Sequence, residues 1–316
     1  MKTMKILMMG SSSLMLVALA ACSALQPAGV AQPAPSAQSQ PGTGVQYHFV
    51  TNKLLLPSTQ DQADSFALNI DGDSAGTGDN LFGRLLILVT KAAPGLETQS
   101  TVDAALASGK IVSLHVVKAD DPLNDTSVSW SIVQGQETQT APTFNGTDKF
   151  TVEPGAPVNA PIVGTLKAGH FSGGPGSGQV RIYLFNQPVD VNLIGLRLEA
   201  DVTAQGCTNG KLGGGLTVAE FRSKLLPSIA EGLTQVVAAN PTASKLILTA
   251  FDSNGDSKIS VDELEKSPAL MLAASPDMDL LDSYGKFNPG QDGKKDTYSI
   301  GLGFTCVPAV FTAAGE

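Results

Sequence analysis

Apolar and polar residues alternate one by one in several stretches of the chain. Val45, Tyr47 and Phe49 share one side of a stretch covering 45–57. Val112, Leu114 and Val116 alternate with Ser113 and His115, and Val128, Trp130 and Ile132 with Ser129 and Ser131. Ile194, Leu196, Leu198, Ala200 and Val202 stand opposite Arg197, Glu199 and Asp201. Tyr298, Ile300, Leu302, Phe304 and Cys306 stand opposite Ser299, Gly301, Gly303 and Thr305. A period of two sends successive side chains to opposite faces, so each stretch predicts a strand with one face buried. On this pattern His115 belongs to the polar face, a surface position rather than a ligand. Shorter strands are expected at 149–153, 161–167 and 179–185.

A second periodicity begins at Thr217. Val218, Phe221, Leu225, Ile229, Leu233 and Val236 recur at helical spacing, and Thr217 with Glu220 has the form of a capping box. Pro227 should kink this helix or start a new one after Leu226. Further helices are expected at 241–251 and 261–266, the latter stopped by Ser267-Pro268. Earlier in the chain, 81–90 reads as a buried helix. Residues 98–109 read as a short one, with Ser100 as a possible cap and Gly109 as its stop. The sum is an α+β fold. An antiparallel, β-sandwich-like or half-barrel body occupies 45–214, a helical segment 215–275, and a return strand within 276–316 completes the sheet.

The chemistry concentrates between the last two helices. Asp252, Asn254, Asp256, Lys258, Ser260 and Glu263 stand at positions 1, 3, 5, 7, 9 and 12 of a twelve-residue run. Calcium takes six to eight oxygens at roughly 2.3–2.6 Å, and this spacing lets one short loop supply them. Position 7 gives a backbone carbonyl, so Lys258 is compatible. Phe251 and Ile259 are apolar where the loop needs anchoring, and Ser260 with Glu263 forms a second capping box. The run resembles the EF-hand family, and more loosely half of a dockerin repeat, over about 244–267. The resemblance implies a helical EF-hand insert holding Ca2+. It departs at position 6, where Ser257 replaces the turn glycine at a cost of roughly 1 kcal/mol. EF-hands usually pair, and no second loop of this kind is present. Asp277, Asp279, Asp282, Asp292 and Asp296 follow without its spacing.

Two patterns compete for 71–80. Asp71, Asp73 and Asp79 could hold a second ion in a flexible acidic turn, although the spacing after Asp73 fits no standard loop. Gly72-Asp-Ser-Ala-Gly76 matches the nucleophile elbow of esterases, but too little folded chain precedes it and no oxyanion segment lies upstream.

The chain starts with Lys2 and Lys5, then an apolar run from Ile6 to Ala21, the form of a secretory signal over 1–21. Leu19-Ala20-Ala21-Cys22 resembles the bacterial lipobox, which implies lipidation of Cys22. Ser23 lacks the aspartate of inner-membrane retention, so the resemblance implies an outer-membrane address. Residues 22–44, rich in Pro, Ala, Ser, Gln and Gly, read as a disordered tether. Lys2 and Lys5 are two of 20 basic residues. The remaining 18 face 29 acidic ones, a net charge of −11, which argues against a nucleic-acid partner. Cys207 and Cys306 are expected to pair in an oxidising compartment.

These readings point to a calcium-binding, envelope-anchored lipoprotein with a structural or binding role and no catalytic function. It would hold the membrane through its lipid and meet a protein or glycan partner. The competing expectation is a secreted hydrolase or carbohydrate-active enzyme built on acids such as Asp71, Asp79 and Asp277, with calcium as a structural ion.

Overall fold

Eight strands follow one another around a ring, each antiparallel to its neighbours, and the last returns to the first. They are β1 (Val45–Leu55), β2 (Ser113–Ala119), β3 (Asp125–Gln134), β4 (Ile162–Lys167), β5 (His170–Leu184), β6 (Gln187–Thr203), β7 (Gly206–Thr217) and β8 (Thr297–Pro308). The computed structural model describes residues 44–312 apart from 75, 77, 93–97, 186, 269 and 271–273. The signal segment, Cys22 and the tether up to residue 43 lie outside the described residues.

The sheet is a closed barrel, not a sandwich or half-barrel. Closure depends on β8, which pairs with β7 on one side and with β1 on the other. β4 is short, however, and pairs with only the first residues of β5, His170–Gly173, so beyond them β5 ladders with β6 alone. The alternation pattern missed β7 because glycines occupy much of it. A Cβ on Gly210 would collide with the Phe304 ring, and one on Gly215 with Leu280. Glycine in a strand marks such close approaches. Cys207 and Cys306 are direct partners across β7 and β8, with Cα atoms 4.8 Å apart, and form a disulfide.

Large apolar side chains fill the barrel. Trp130 is fully buried and packs against Phe171, with ring centroids 5.0 Å apart. His115 also lies inside, only 3% exposed, which corrects its assignment to a polar surface. The reason is a second covering layer. Val112, Leu114 and Val116 face outward but are sheltered with Phe150, Ala309 and Phe311, so both faces of β2 are buried. Alternation alone cannot tell which face is inside when both are covered. The expected strand at 149–153 is part of this cover and makes only isolated bridges, Gly135 with Val152 and Lys149 with Val310.

His115 is held by two bonds. The Trp130 indole N–H donates to Nδ1 at 3.0 Å, and Nε2 lies 2.7 Å from the Thr51 hydroxyl. An indole nitrogen can only donate, so Nδ1 is the acceptor and Nε2 carries the proton. Burial pushes the imidazole pKa down to about 3, so the ring is neutral at physiological pH.

Two long excursions leave the barrel. Between β1 and β2 run α1 (Gln60–Ser65), α2 (Leu81–Ala92) and α3 (Thr98–Ala107). Gly109, at φ 73, follows α3 as its stop, whereas Ser100 lies inside the helix rather than capping it. Between β7 and β8 run α4 (Val218–Glu220), a π-turn (Phe221–Leu225), α5 (Leu226–Ala239), α6 (Pro241–Phe251) and α7 (Val261–Lys266). Pro227 sits in the first turn of α5, directly after the π-turn, so its missing N–H falls where the helical hydrogen-bond register changes. The Thr217 box is half formed. Its hydroxyl accepts from Glu220 N, but the Glu220 carboxylate accepts from the backbone and side chain of Asn192 instead.

Candidate metal centre

The candidate loop joins α6 to α7. Asn240 caps α6, its side chain accepting from Thr242 N and Ala243 N, and Ala243 and Ile247 bury the inner face of that helix. At the C-terminal end Asp252 leaves the helical conformation with ψ 92. The next residues curl around its carboxylate. Oδ1 accepts from Gly255 N at 2.7 Å and Asp256 N at 3.2 Å, and Oδ2 accepts from Ser257 N at 2.9 Å. Asn254 Oδ1 accepts from Asp256 N, and Asp256 Oδ1 from Lys258 N, both at 2.8 Å. Ser257 takes the left-handed conformation, φ 64, at the position where the EF-hand pattern calls for glycine.

Glu263 closes the curl from the far side. As the third residue of α7 it completes a full capping box with Ser260, whose N and Oγ donate to Oε2 at 3.0 and 2.8 Å. Oε1 reaches back to the start of the loop, accepting from Ser253 N at 2.9 Å and Asn254 N at 3.2 Å. The residue is 6% exposed. Hydrogen bonds, led by that from Ser260 N, hold its carboxyl down to about 2, so it carries a full negative charge at neutral pH.

Ile259 is buried, and α5 braces it. Ile259 N donates to Thr234 Oγ1 at 2.9 Å, and that hydroxyl lies 3.4 Å from Ile259 O. In a paired hand a neighbouring loop would meet this residue. Here a helix meets it. Ser267 Oγ donates to Ala250 O at 3.3 Å, tying the end of α7 to α6. Neither Thr234 nor Ser267 was readable as part of the site, because both act through approaches between helices that carry no sequence spacing.

Among the described residues, no three His, Cys, Asp or Glu side chains converge as a metal-binding group. Asp252, Asp256 and Glu263 are thus gathered on one loop without converging on one point. No protein-family model, curated protein or solved structure matches the chain.

The 71–80 turn is organised differently. Asp71 Oδ1 accepts from Asp73 N, Asp73 Oδ1 from Gly76 N, and Asp79 Oδ2 from Ile70 N. Asp71 and Asp73 brace their own bends, and Asp79 ties the end of the turn back to its start. Burial, reinforced by the negative charges of Asp71 and Asp277, raises the Asp79 carboxyl to about 6. Ser74 lies in a turn with no strand directly before it, and α2 begins only at Leu81, so among the described residues the strand–turn–helix frame of a nucleophile elbow is missing around it. In the segment before β8, Asp277 accepts from Ser299 N at 2.8 Å and from the Ser299 hydroxyl. Asp296 accepts from Leu280 N and Leu281 N.

Proposed function

We propose that this is a calcium-binding, envelope-anchored lipoprotein with a structural or binding role. Asp252, Asn254, Asp256, the Lys258 carbonyl, Ser260 and Glu263 would hold Ca2+ in a helical EF-hand insert formed by α6, the loop and α7. One observation carries the reading. Ser257 accepts the left-handed turn of an EF-hand loop while Glu263, ten residues along from Ser253, is drawn back onto the loop's first turn. A carboxylate has about four lone-pair sites, so the turn bonds of Asp252 and Asp256 leave acceptor capacity for an ion. Glu263 is the residue that must move. Its Oε1 would exchange the Ser253 and Asn254 amides for calcium.

That exchange gives the test. Adding calcium to the chelated full chain should shift the Ser253 and Asn254 amide resonances and raise the melting temperature. Unchanged amides and an unchanged melt would remove the calcium reading. With Kd near ~10⁻⁵ M in ~1 mM calcium, linkage would stabilise the fold by about 2.7 kcal/mol. That is a structural contribution.

The anchoring half rests on Lys2, Lys5, the apolar run from Ile6 to Ala21, and Cys22. Labelled palmitate should enter the wild-type chain and not Cys22→Ser. A protein or glycan partner would be sought by pull-down from envelope extract with and without chelator. Asp79 favours one second reading, a hydrolase using Asp71, Asp79 and Asp277, because a carboxyl raised to about 6 beside two other acids suits a general acid. Polysaccharide cleavage lost in Asp79→Asn would support it, and a lack of cleavage by the wild type would end it.

A further inference from the structure

The helices flanking the candidate loop also wall a cavity of about 330 Å³. Its sides come from α2, the tip of β5, α5, α6 and α7, and among the described residues every one lining it except Thr98 is apolar. Protein interiors keep few voids larger than a water molecule. Cavities of roughly 300–1,000 Å³ with apolar walls are the usual form of a small-molecule site. This one is also open to solvent through apolar side chains. Leu88 of α2 and Leu246 of α6, which both line it, are 54% and 58% exposed.

The walls restrict the guest. Among the described residues they carry no charge, so the buried part of a ligand must be hydrocarbon, since an unpaired polar group there would lose its hydration without compensation. One turn past Leu88, and outside the lining itself, α2 carries a cation. Lys91 is exposed and follows Leu88 by three residues, so the two share one face of that helix. A lysine one turn from an apolar opening is within reach of a ligand head there and favours an anionic head over a cationic one.

We propose that this cavity binds one free long-chain fatty acid, its tail between α2 and α6 and its carboxylate beside Lys91. The assignment does not depend on calcium. Phe185, at the barrel tip, contributes to the floor and is seated against α5 at Gly232, where a Cβ would collide with its ring. The barrel end thereby becomes part of the pocket.

The test is a titration of the full-length chain with cis-parinaric acid, a fluorescent fatty acid, in calcium and in chelator. Saturable one-to-one binding in either buffer, displaced by palmitic acid, is the expected result. Leu88→Glu with Leu246→Glu should weaken it at least about tenfold by placing charge at an apolar mouth. Both positions are more than half exposed, so the fold should survive, which a thermal melt checks. Lys91→Gln should weaken palmitic acid several-fold and leave the uncharged cetyl alcohol unaffected. Absence of saturable binding, or a rim variant that binds like the wild type, would overturn the proposal. So would binding seen only in Cys22→Ser and not in the acylated chain, since the protein's own lipid would then be the occupant. Equal loss of acid and alcohol in Lys91→Gln would overturn the place assigned to the carboxylate.

Discussion

The barrel and the excursion between β7 and β8 satisfy their polar groups in opposite ways. In the barrel a strand ladder closes on itself, and an interior polar group such as His115 finds side-chain partners on neighbouring strands, Thr51 and Trp130. In the excursion, acids bend short segments of backbone around themselves, as Asp252 does with the three amides that follow. The first arrangement is long-range and needs nothing from outside. The second is local and places negative charge in tight loops, the condition a cation would relieve. The barrel is therefore expected to set global stability, while the excursion should respond to ions.

The largest effect should come from the barrel core. Trp130→Ala removes a fully buried side chain and should cost about 3–5 kcal/mol in denaturant unfolding. A cost below 1 kcal/mol would mean the barrel interior is not the main source of stability. Next is the Cys207–Cys306 disulfide, which joins residues 99 apart and should contribute about 2–5 kcal/mol, read as the loss of stability in a Cys207→Ser, Cys306→Ser double variant. Chelating calcium should cost about 2.7 kcal/mol under the conditions above. Hydrogen exchange sharpens that contrast, because amides of 252–263 should lose protection on chelation while those of β2 and β3 keep theirs.

Acid should act on the barrel. His115 titrates near 6.5 when unfolded and at about 3 when folded, so its contribution is complete above pH 6.5 and declines as pH falls toward 3. Protonation would set an Nδ1–H against the Trp130 N–H. The slope should steepen below pH 6.5 and approach about 1.4 kcal/mol per pH unit between roughly pH 5.5 and 4, and His115→Gln should remove that component. Asp79 has the opposite sign, since a carboxyl raised to about 6 favours folding in its protonated form. Asp79→Asn should therefore steepen the acid loss. The smallest effect is expected at the loop turn. Ser257→Gly relieves a left-handed serine and should stabilise by about 1 kcal/mol, with tighter calcium binding.

Local signals were readable from the sequence, and the long-range ones were not. The Ser260–Glu263 box, α6, α7, β6 and β8 follow from spacing and caps within a few residues. Closure of the barrel did not, because β7 carries glycines where Phe304 and Leu280 need space. His115 was misplaced because both faces of β2 are covered, which a period of two cannot reveal. In the loop, the oxygen-bearing side chains were visible, whereas the α5 brace at Thr234 depends on how two helices meet. The same limit applies to the acidic turn at 71–80. Its composition matches the loop, but no helix-borne carboxylate such as Glu263 closes it.

The proposed calcium site in the 252–263 loop holds one ion and depends on Glu263. Calorimetric titration of the chelator-stripped full chain, beside Glu263→Gln, decides it. The expected result is one ion bound with Kd between about 10⁻⁵ and 10⁻³ M. In the variant, affinity should fall by more than about a hundredfold, beyond the 10–100-fold cost of losing an outer-shell partner. No heat of binding in the wild type, or equal binding in the variant, would contradict the claim.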